Sequence, residues 1–484
     1  MTKTLGTLVL LTAFLTGCAV GPNYKRPAVT APAEVRGASA AEAVSLADRP
    51  WWEVFGDDAL KSLIDEALRG NYDIREAAWR VEEFRARAGV ARSDFFPQVS
   101  YQGQWSRSRQ SDLVLPGSAP LSLYDVNLGL SWEIDLWGRI RRLSEAALAD
   151  YLSTEEARRG VLLSTVSEVA RAYFGLRELD ARLEIARRTT DAFRETNDLF
   201  SRQLAGGIAS QLEVSRAEGA MRNAAATVPD LERQIVAQEN RIGFLLGHNP
   251  GPIPRGASLT GQALTPEVPA GLPSTLLERR PDIREAEQRL VAANANVGAA
   301  MASFFPTISL TGAFGGVSTD VSNLFSAGKA WSIAAGLTGP LFQGMRLKNQ
   351  YDVNVALFEQ ARVRYESTVT NAFGEVSTAL VAYQKLALTE KEQAGSVAAY
   401  QEAVRLANIR YVAGLSSYVE VLDAEQQLFP AENSLAQTRF LRLDAFVQLY
   451  KALGGGWNIS DPTWTRQASA AAAPKEPSPG AKEE

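Results

Sequence analysis

The 484-residue chain holds one cysteine and one histidine, too few to build a metal site, a Cys/His nucleophile or a structural disulfide. Basic residues do not outnumber acidic ones, and a formal net charge of -5 leaves no electrostatic footprint for nucleic acid. Proline is absent from Ile140 to Leu204, and charge is absent from the thirty residues between Arg289 and Asp320. By length alone the second gap could suggest a membrane helix. Asn294, Asn296, Pro306 and several glycines interrupt it, so it reads as the end of a helix followed by a strand. Little in this chain could carry chemistry, and the enzyme classes fall away.

What is present is alternation. From Tyr124 to Leu136 every even position is apolar (Tyr124, Val126, Leu128, Leu130, Trp132, Ile134, Leu136) and every odd one is polar or glycine. Period two over this length is a strand with one apolar and one wet face, and ~9–11 residues suffice to cross a bilayer at a barrel tilt. Val99–Trp105, Ile308–Phe314 and Trp331–Leu337 share the pattern. The result is two hairpins in an otherwise helical chain. Four strands cannot close a barrel, and an open sheet edge in lipid costs several kcal/mol for each unpaired backbone group, so other copies of the chain must meet those edges. Glu133 and Asp135 lie two apart on one strand face. Without a cleft they read as polar lining rather than a hydrolase pair.

In chain order, Met1 to Gly17 has the form of a secretory signal, with Lys3 ahead of the apolar run Leu5–Leu15. The segment 18–58 is Pro/Ala-rich and reads as extended, leading away from the N-terminus, with Trp51, Trp52 and Phe55 expected to open the core. A helix is expected from about Ala59 to Arg92, stopped near Pro97. After the second strand, Trp137-Gly138-Arg139 marks a corner. The proline-free run Ile140–Leu204 then carries a seam at Leu162, Val166, Val169, Tyr173 and Leu176. Gly206-Gly207 breaks it, and a further helix covers Gln211–Leu246, interrupted or kinked at Pro229. His248 falls in a turn and is assigned no function.

After a linker at 251–273 the chain repeats itself. Asp73-Ile74-Arg75-Glu76-Ala77 returns as Asp282-Ile283-Arg284-Glu285-Ala286 and Phe95-Phe96-Pro97 as Phe304-Phe305-Pro306, both displaced by 209. The seam returns displaced by 207 as Val369, Phe373, Val376, Leu380 and Tyr383, and Gly207 returns as Gly414. The chain is a tandem repeat, 59–250 and 274–456, followed at 457–484 by a polar tail expected to be disordered.

Leu15-Thr16-Gly17-Cys18 resembles the bacterial lipobox, which implies cleavage before Cys18 and a covalent lipid on its thiol. Together with Gly-Pro-Asn-Tyr-Lys-Arg-Pro at 21–27, the repeat, the hairpins and the long helices, it makes residues 20 to 455 resemble one family. These are the TolC-like outer-membrane efflux factors, in their lipoprotein branch (OprM/NodT type). The fold class implied is α+β: three chains each give four strands to a twelve-stranded transmembrane β-barrel, and long helices continue it as an α-barrel across the periplasm. The function implied is a passive duct in the outer membrane of a Gram-negative bacterium. A homotrimer would contact outer-membrane lipid and dock onto a periplasmic adaptor and an inner-membrane pump of the RND type, with no cofactor beyond the lipid on Cys18.

The resemblance also singles out residues. Glu420 and Asp423 match acidic positions that ring the narrowest point of the family's pore, and on a helix their spacing gives them one face. Tyr411 and Glu213 match positions that hold neighbouring helices together in the closed state, while Ser416 departs from an arginine found there in some members. Independently, Ser417-Tyr418-Val419-Glu420 and Ser210-Gln211-Leu212-Glu213 both read as capping boxes. Gly207 and Gly414 read as C-terminal caps or, with Ser210 and Ser417, as turns that meet the adaptor. A second reading is a lipid-anchored periplasmic coiled-coil scaffold without a pore. It would bury Tyr124, Val126, Leu128, Leu130 and Trp132 against helix seams.

Overall fold

The computed structural model describes residues 19–29, 36, 46–111, 113–114, 116–262 and 273–455. Cys18, the leader before it and the C-terminal tail lie outside the described residues. In chain order the main elements are α1 (Asp58–Gly70), α2 (Tyr72–Ser93), β1 (Gln98–Ser108), β2 (Leu121–Ile134), α3 (Arg139–Ala205), α4 (Gln211–Leu246), α5 (Pro281–Ala302), β3 (Thr307–Ser318), β4 (Lys329–Thr338), α6 (Arg346–Val412) and α7 (Tyr418–Ala452). The two longest helices, α3 and α6, each have 67 residues. Among the described residues no helix is long and apolar enough to cross a membrane. Contacts gather the chain into two compact units, each drawing on both halves of the repeat: 1–28, 80–155 and 285–367 in the first, 29–79, 156–284 and 368–484 in the second.

The first unit holds a four-stranded antiparallel sheet in the order β1-β2-β3-β4. Its register puts the apolar positions of all four strands on one face. Tyr101 faces Leu128, Leu128 faces Phe314, and Phe314 faces Trp331. The other face carries Gln102, Asn127, Gly315 and Ala330 in the matching row. Val126, Leu128, Leu130, Phe314, Trp331 and Ile333 are all exposed, so among the described residues no helix covers the apolar face. That is the opposite of what a pore-less scaffold requires.

Strand β2 stops at Ile134, two residues before the alternation does. Asp135 is drawn out of the ladder to accept hydrogen bonds from the Ile140 and Arg141 amides at 3.1 and 2.9 Å, starting α3, and it pairs with Arg141. Glu133 is bound to Arg139 at 2.7 Å. Both carboxylates expected to line a wet face are thus committed to the strand-to-helix corner. There Trp137 stacks on Phe305 with ring centres 4.7 Å apart and donates its indole N–H to the Pro306 carbonyl.

Residues 19–28 lie along this unit. Val20 donates its amide to the Trp137 carbonyl. The buried Arg142 donates to the Gly21 carbonyl and Asn23 Oδ1, and Asn294 to the Pro22 carbonyl. Tyr24 and Arg26 both reach Glu287. The approach is so close that a Cβ on Gly21, whose φ is 101°, would sit 2.5 Å from the Gly298 Cα.

The second unit holds the main core. Val166, Val169, Tyr173 and Leu176 of the first seam and Val369, Val376, Leu380 and Tyr383 of the second are buried, along with Phe446 and Tyr450 of α7. Trp51 and Phe55 join this core, whereas Trp52 is partly exposed. Asp57 organises the entry to α1. It caps the Ala59 and Leu60 amides and accepts from Tyr173 Oη, the Ala257 amide and Gln262 Nε2 at 2.8, 2.9 and 2.8 Å. Burial pushes its carboxyl up, but the bonds from Gln262, Tyr173 and the backbone outweigh that, holding it below its ordinary value.

The single helix expected over 59–92 is two. Asn71 takes an extended ψ of 134°, donates its side-chain amide to the Leu245 carbonyl, and accepts from the Asp73 and Ile74 amides to start α2. Helix α4, by contrast, runs unbroken through Pro229.

Candidate functional site

The turns α3–α4 and α6–α7 are built alike in the second unit. Each long helix ends on a glycine in the left-handed region, Gly207 at φ 75° and Gly414 at φ 71°, a conformation costly for any residue with a Cβ. In each, the next amide reaches back five residues, Ile208 to the Gln203 carbonyl and Leu415 to the Arg410 carbonyl, both at 2.8–2.9 Å. This six-to-one bond, with the Gly207–Leu204 and Gly414–Tyr411 bonds inside it, satisfies carbonyls that the helix end leaves free. Ile208 and Leu415 are left standing in the open at matched positions.

The following helices start differently. Ser210 accepts from the Glu213 amide, and the Glu213 carboxylate accepts from the Ser210 amide at 2.7 Å, a complete capping box. The Ser210 amide and hydroxyl hold Glu213 below its ordinary value. Among the described residues the hydrogen bonds of its carboxylate go to Ser210. Ser417, in the same sequence pattern, makes no side-chain cap. Glu420 instead pairs with Arg410 at 3.4 Å, both side chains about half exposed. Asp423 lies exposed one turn on and makes no ion pair among the described residues.

What holds the start of α7 is aromatic. Tyr418 is buried between Phe200 and Tyr411, ring centres 4.9 and 5.0 Å away and nearly perpendicular, and its hydroxyl meets Thr196 Oγ1. Tyr411 accepts from Gln203 Nε2 at 3.0 Å. Phe193, Ala217, Val421 and Leu422 close the cluster around them. Tyr411 is therefore an interhelical contact, while Thr196, Phe200, Gln203, Arg410 and Tyr418 escaped the sequence reading. A signal existed: where the second repeat has Tyr411 and Tyr418, the first has Leu204 and Gln211. Two residues past Asp423, burial pushes the Glu425 carboxyl up to about 7, and its Oε2 is enclosed without a hydrogen-bond partner among the described residues.

The arrangement offers acidic side chains at a turn whose following helix, α7, is held at its start by a small aromatic cluster.

A family model described as outer membrane efflux protein matches residues 63–248 and 272–455. The chain is 37% identical over 479 residues to the toluene efflux pump outer membrane protein TtgC of Pseudomonas putida, covering 97% of this chain and 99% of that one. It is 36% identical over 451 residues to the cation efflux system protein CusC of Escherichia coli, covering 92% and 96%. Among solved structures it is similar to the open state of the Neisseria gonorrhoeae MtrE outer membrane channel. The TM-score is 0.83 at 34% identity, over 91% of this chain and 98% of that one.

Proposed function

This chain belongs to the outer membrane efflux protein family, and from that premise we propose that three copies form one passive duct through the outer membrane. An efflux channel of a Gram-negative outer membrane is what its relatives are. The observation that carries the trimer is the sheet. It has an uncovered apolar face and two outer edges, on β1 and β4, with no strand beside them among the described residues. In lipid such edges are untenable unless another copy pairs with them, and three times four strands gives an even-numbered barrel.

The turns at Gly207–Ser210 and Gly414–Ser417 are the docking tips for a periplasmic adaptor, with Ile208 and Leu415 as their apolar knobs, and an RND-type inner-membrane pump supplies the energy. Glu420 and Asp423, repeated around a threefold axis, form an acidic constriction that favours cations. The lumen does not select. Relatives named for toluene and for cations fit a shared exit whose cargo, small toxic compounds, is chosen by the pump. The protein performs no catalytic step and needs no cofactor, and Cys18 carries the lipid of the lipoprotein branch.

The test is single-channel conductance of the purified protein in planar bilayers beside a Glu420→Ala/Asp423→Ala variant. A small cation-selective conductance that grows or loses selectivity in the variant is the expected result. Silent membranes with well-folded inserted trimers of both forms would overturn the duct.

A further inference from the structure

Resting on the duct proposed above, one end of the sheet lies at the outer rim of the membrane. Helices α2, α3, α5 and α6 meet the strands at their feet, and the hairpin turns 109–120 and 319–328 lie at the opposite end. With the helices in the periplasm, those turns face outwards.

The apolar face stops short of that rim. On β1 it runs Val99, Tyr101, Gly103, Trp105 and then Arg107; on β4, read in the same direction, it runs Leu337, Ala335, Ile333, Trp331 and then Lys329. The two cations occupy equivalent rows of the repeat. Strand β1 returns as β3 displaced by 209 and β2 as β4 displaced by 207, so the pair Arg107–Ser122 becomes Gly316–Lys329. The row beneath, Trp105–Tyr124, becomes Phe314–Trp331. All four strands therefore carry an aromatic at one level, and each hairpin sets one cation a row beyond it. Trp105 and Trp331 are 61% and 75% exposed. Arg107 and Lys329 are exposed too, and neither makes an ion pair among the described residues.

Their height on the sheet is specific. Lys329 is eight residues from Leu337, ~27 Å of strand at ~3.4 Å each and ~21 Å of barrel height at a tilt of ~40°. Against an apolar band ~25 Å tall, that is the border of hydrocarbon and headgroups, just beyond an interfacial aromatic girdle.

We infer that Arg107 and Lys329 bind the phosphates of a glycolipid of the outer leaflet, whose acyl chains lie along the apolar face below. A phosphate is the counter-charge both cations lack, and a guanidinium meets it with two parallel N–H bonds. Ser122, beside Arg107 in its row, offers a hydroxyl donor. The cations sit on the outermost strands of the sheet, β1 and β4. Where neighbouring copies meet, one guanidinium and one ammonium come to the same junction, and a headgroup carrying two phosphates matches them.

The test is lipid binding by the full chain purified from outer membranes in detergent, read as adducts in native mass spectra on titration with bis-phosphorylated lipid A. Dephosphorylated lipid A and phosphatidylglycerol are the comparison lipids. The unmodified trimer should prefer bis-phosphorylated lipid A to the dephosphorylated form by roughly thirtyfold, the equivalent of ~1 kcal/mol for each of two cations near a lipid surface. Arg107→Gln/Lys329→Gln should lose that preference, and Arg107→Lys/Lys329→Arg should keep it. Equal affinity for the two forms of lipid A, or a Gln/Gln variant that binds like the unmodified chain, would overturn the site. Phosphatidylglycerol bound as tightly would overturn the choice of a glycolipid. If the double variant folds poorly, the single variants, each expected to lose about fivefold, decide in its place. Light scattering on the same samples separates this inference from the duct. Trimers without a lipid preference refute the site alone, whereas monomers refute the trimer.

Discussion

The hydroxyl of Tyr418 meets Oγ1 of Thr196, joining the first turn of α7 to α3 across the two halves of the tandem repeat. Burial pushes the phenol up to about 12, so it stays protonated at any pH the periplasm reaches. Tyr418→Phe keeps the ring between Phe200 and Tyr411 and removes only the hydrogen bond. Such a bond contributes ~1 kcal/mol net, roughly fivefold in the ratio of docked to released α7. Bilayer conductance of the variant should rise. An unchanged conductance would mean that ring packing alone holds the helix.

Glu425 gives the same helix a pH dependence. Its folded pKa, raised to about 7 by burial from an ordinary 4.5, means that the folded chain holds the proton more tightly than the unfolded one. The stability this group contributes is fully present below 4.5 and is lost as pH rises through about 7, when an enclosed oxygen without a partner becomes charged. Amide exchange in peptides covering the start of α7, corrected for intrinsic rates, should speed up across that window. In Glu425→Gln the corrected rates should be flat.

The Arg410–Glu420 pair is half exposed, and such pairs contribute ~0–1 kcal/mol. Glu420→Gln should move the thermal midpoint little. In bilayers its effect should be on ion preference, with Glu420→Gln/Asp423→Asn losing cation selectivity. A large drop in melting temperature with unchanged selectivity would instead make Glu420 a structural residue.

Asp57 is the reverse case, buried and fully engaged. Asp57→Ala removes a helix cap, worth ~1 kcal/mol, and strands buried donors at ~1–3 kcal/mol. We expect a total loss of about 3 kcal/mol, read in denaturant titrations of the detergent-solubilised protein. Asp57→Asn, which keeps a capping oxygen, should lose less.

The alternation of β2 and the seam residues Val169, Tyr173, Val376 and Leu380 were legible in the sequence because period is a local property of the chain. The break at Asn71 was not read: its side chain caps α2 locally through the Asp73 and Ile74 amides, but the bond that fixes it there goes to the Leu245 carbonyl, far away in sequence. Ser210-Gln211-Leu212-Glu213 and Ser417-Tyr418-Val419-Glu420 show why pattern alone misled at the site. The same spacing makes a box in one turn, whereas in the other Glu420 is turned to Arg410. Asp135 looked like part of a strand face until the corner needed a helix cap.

The packing of residues 19–28 has a mechanical consequence for whatever is attached just before them. A Cβ on Gly138 would lie 2.8 Å from the Ala19 Cα, so the chain's path is pinned at the foot of the sheet. Whatever precedes Ala19 therefore meets the folded unit at a fixed point, the corner where strand becomes helix, and cannot slide along it.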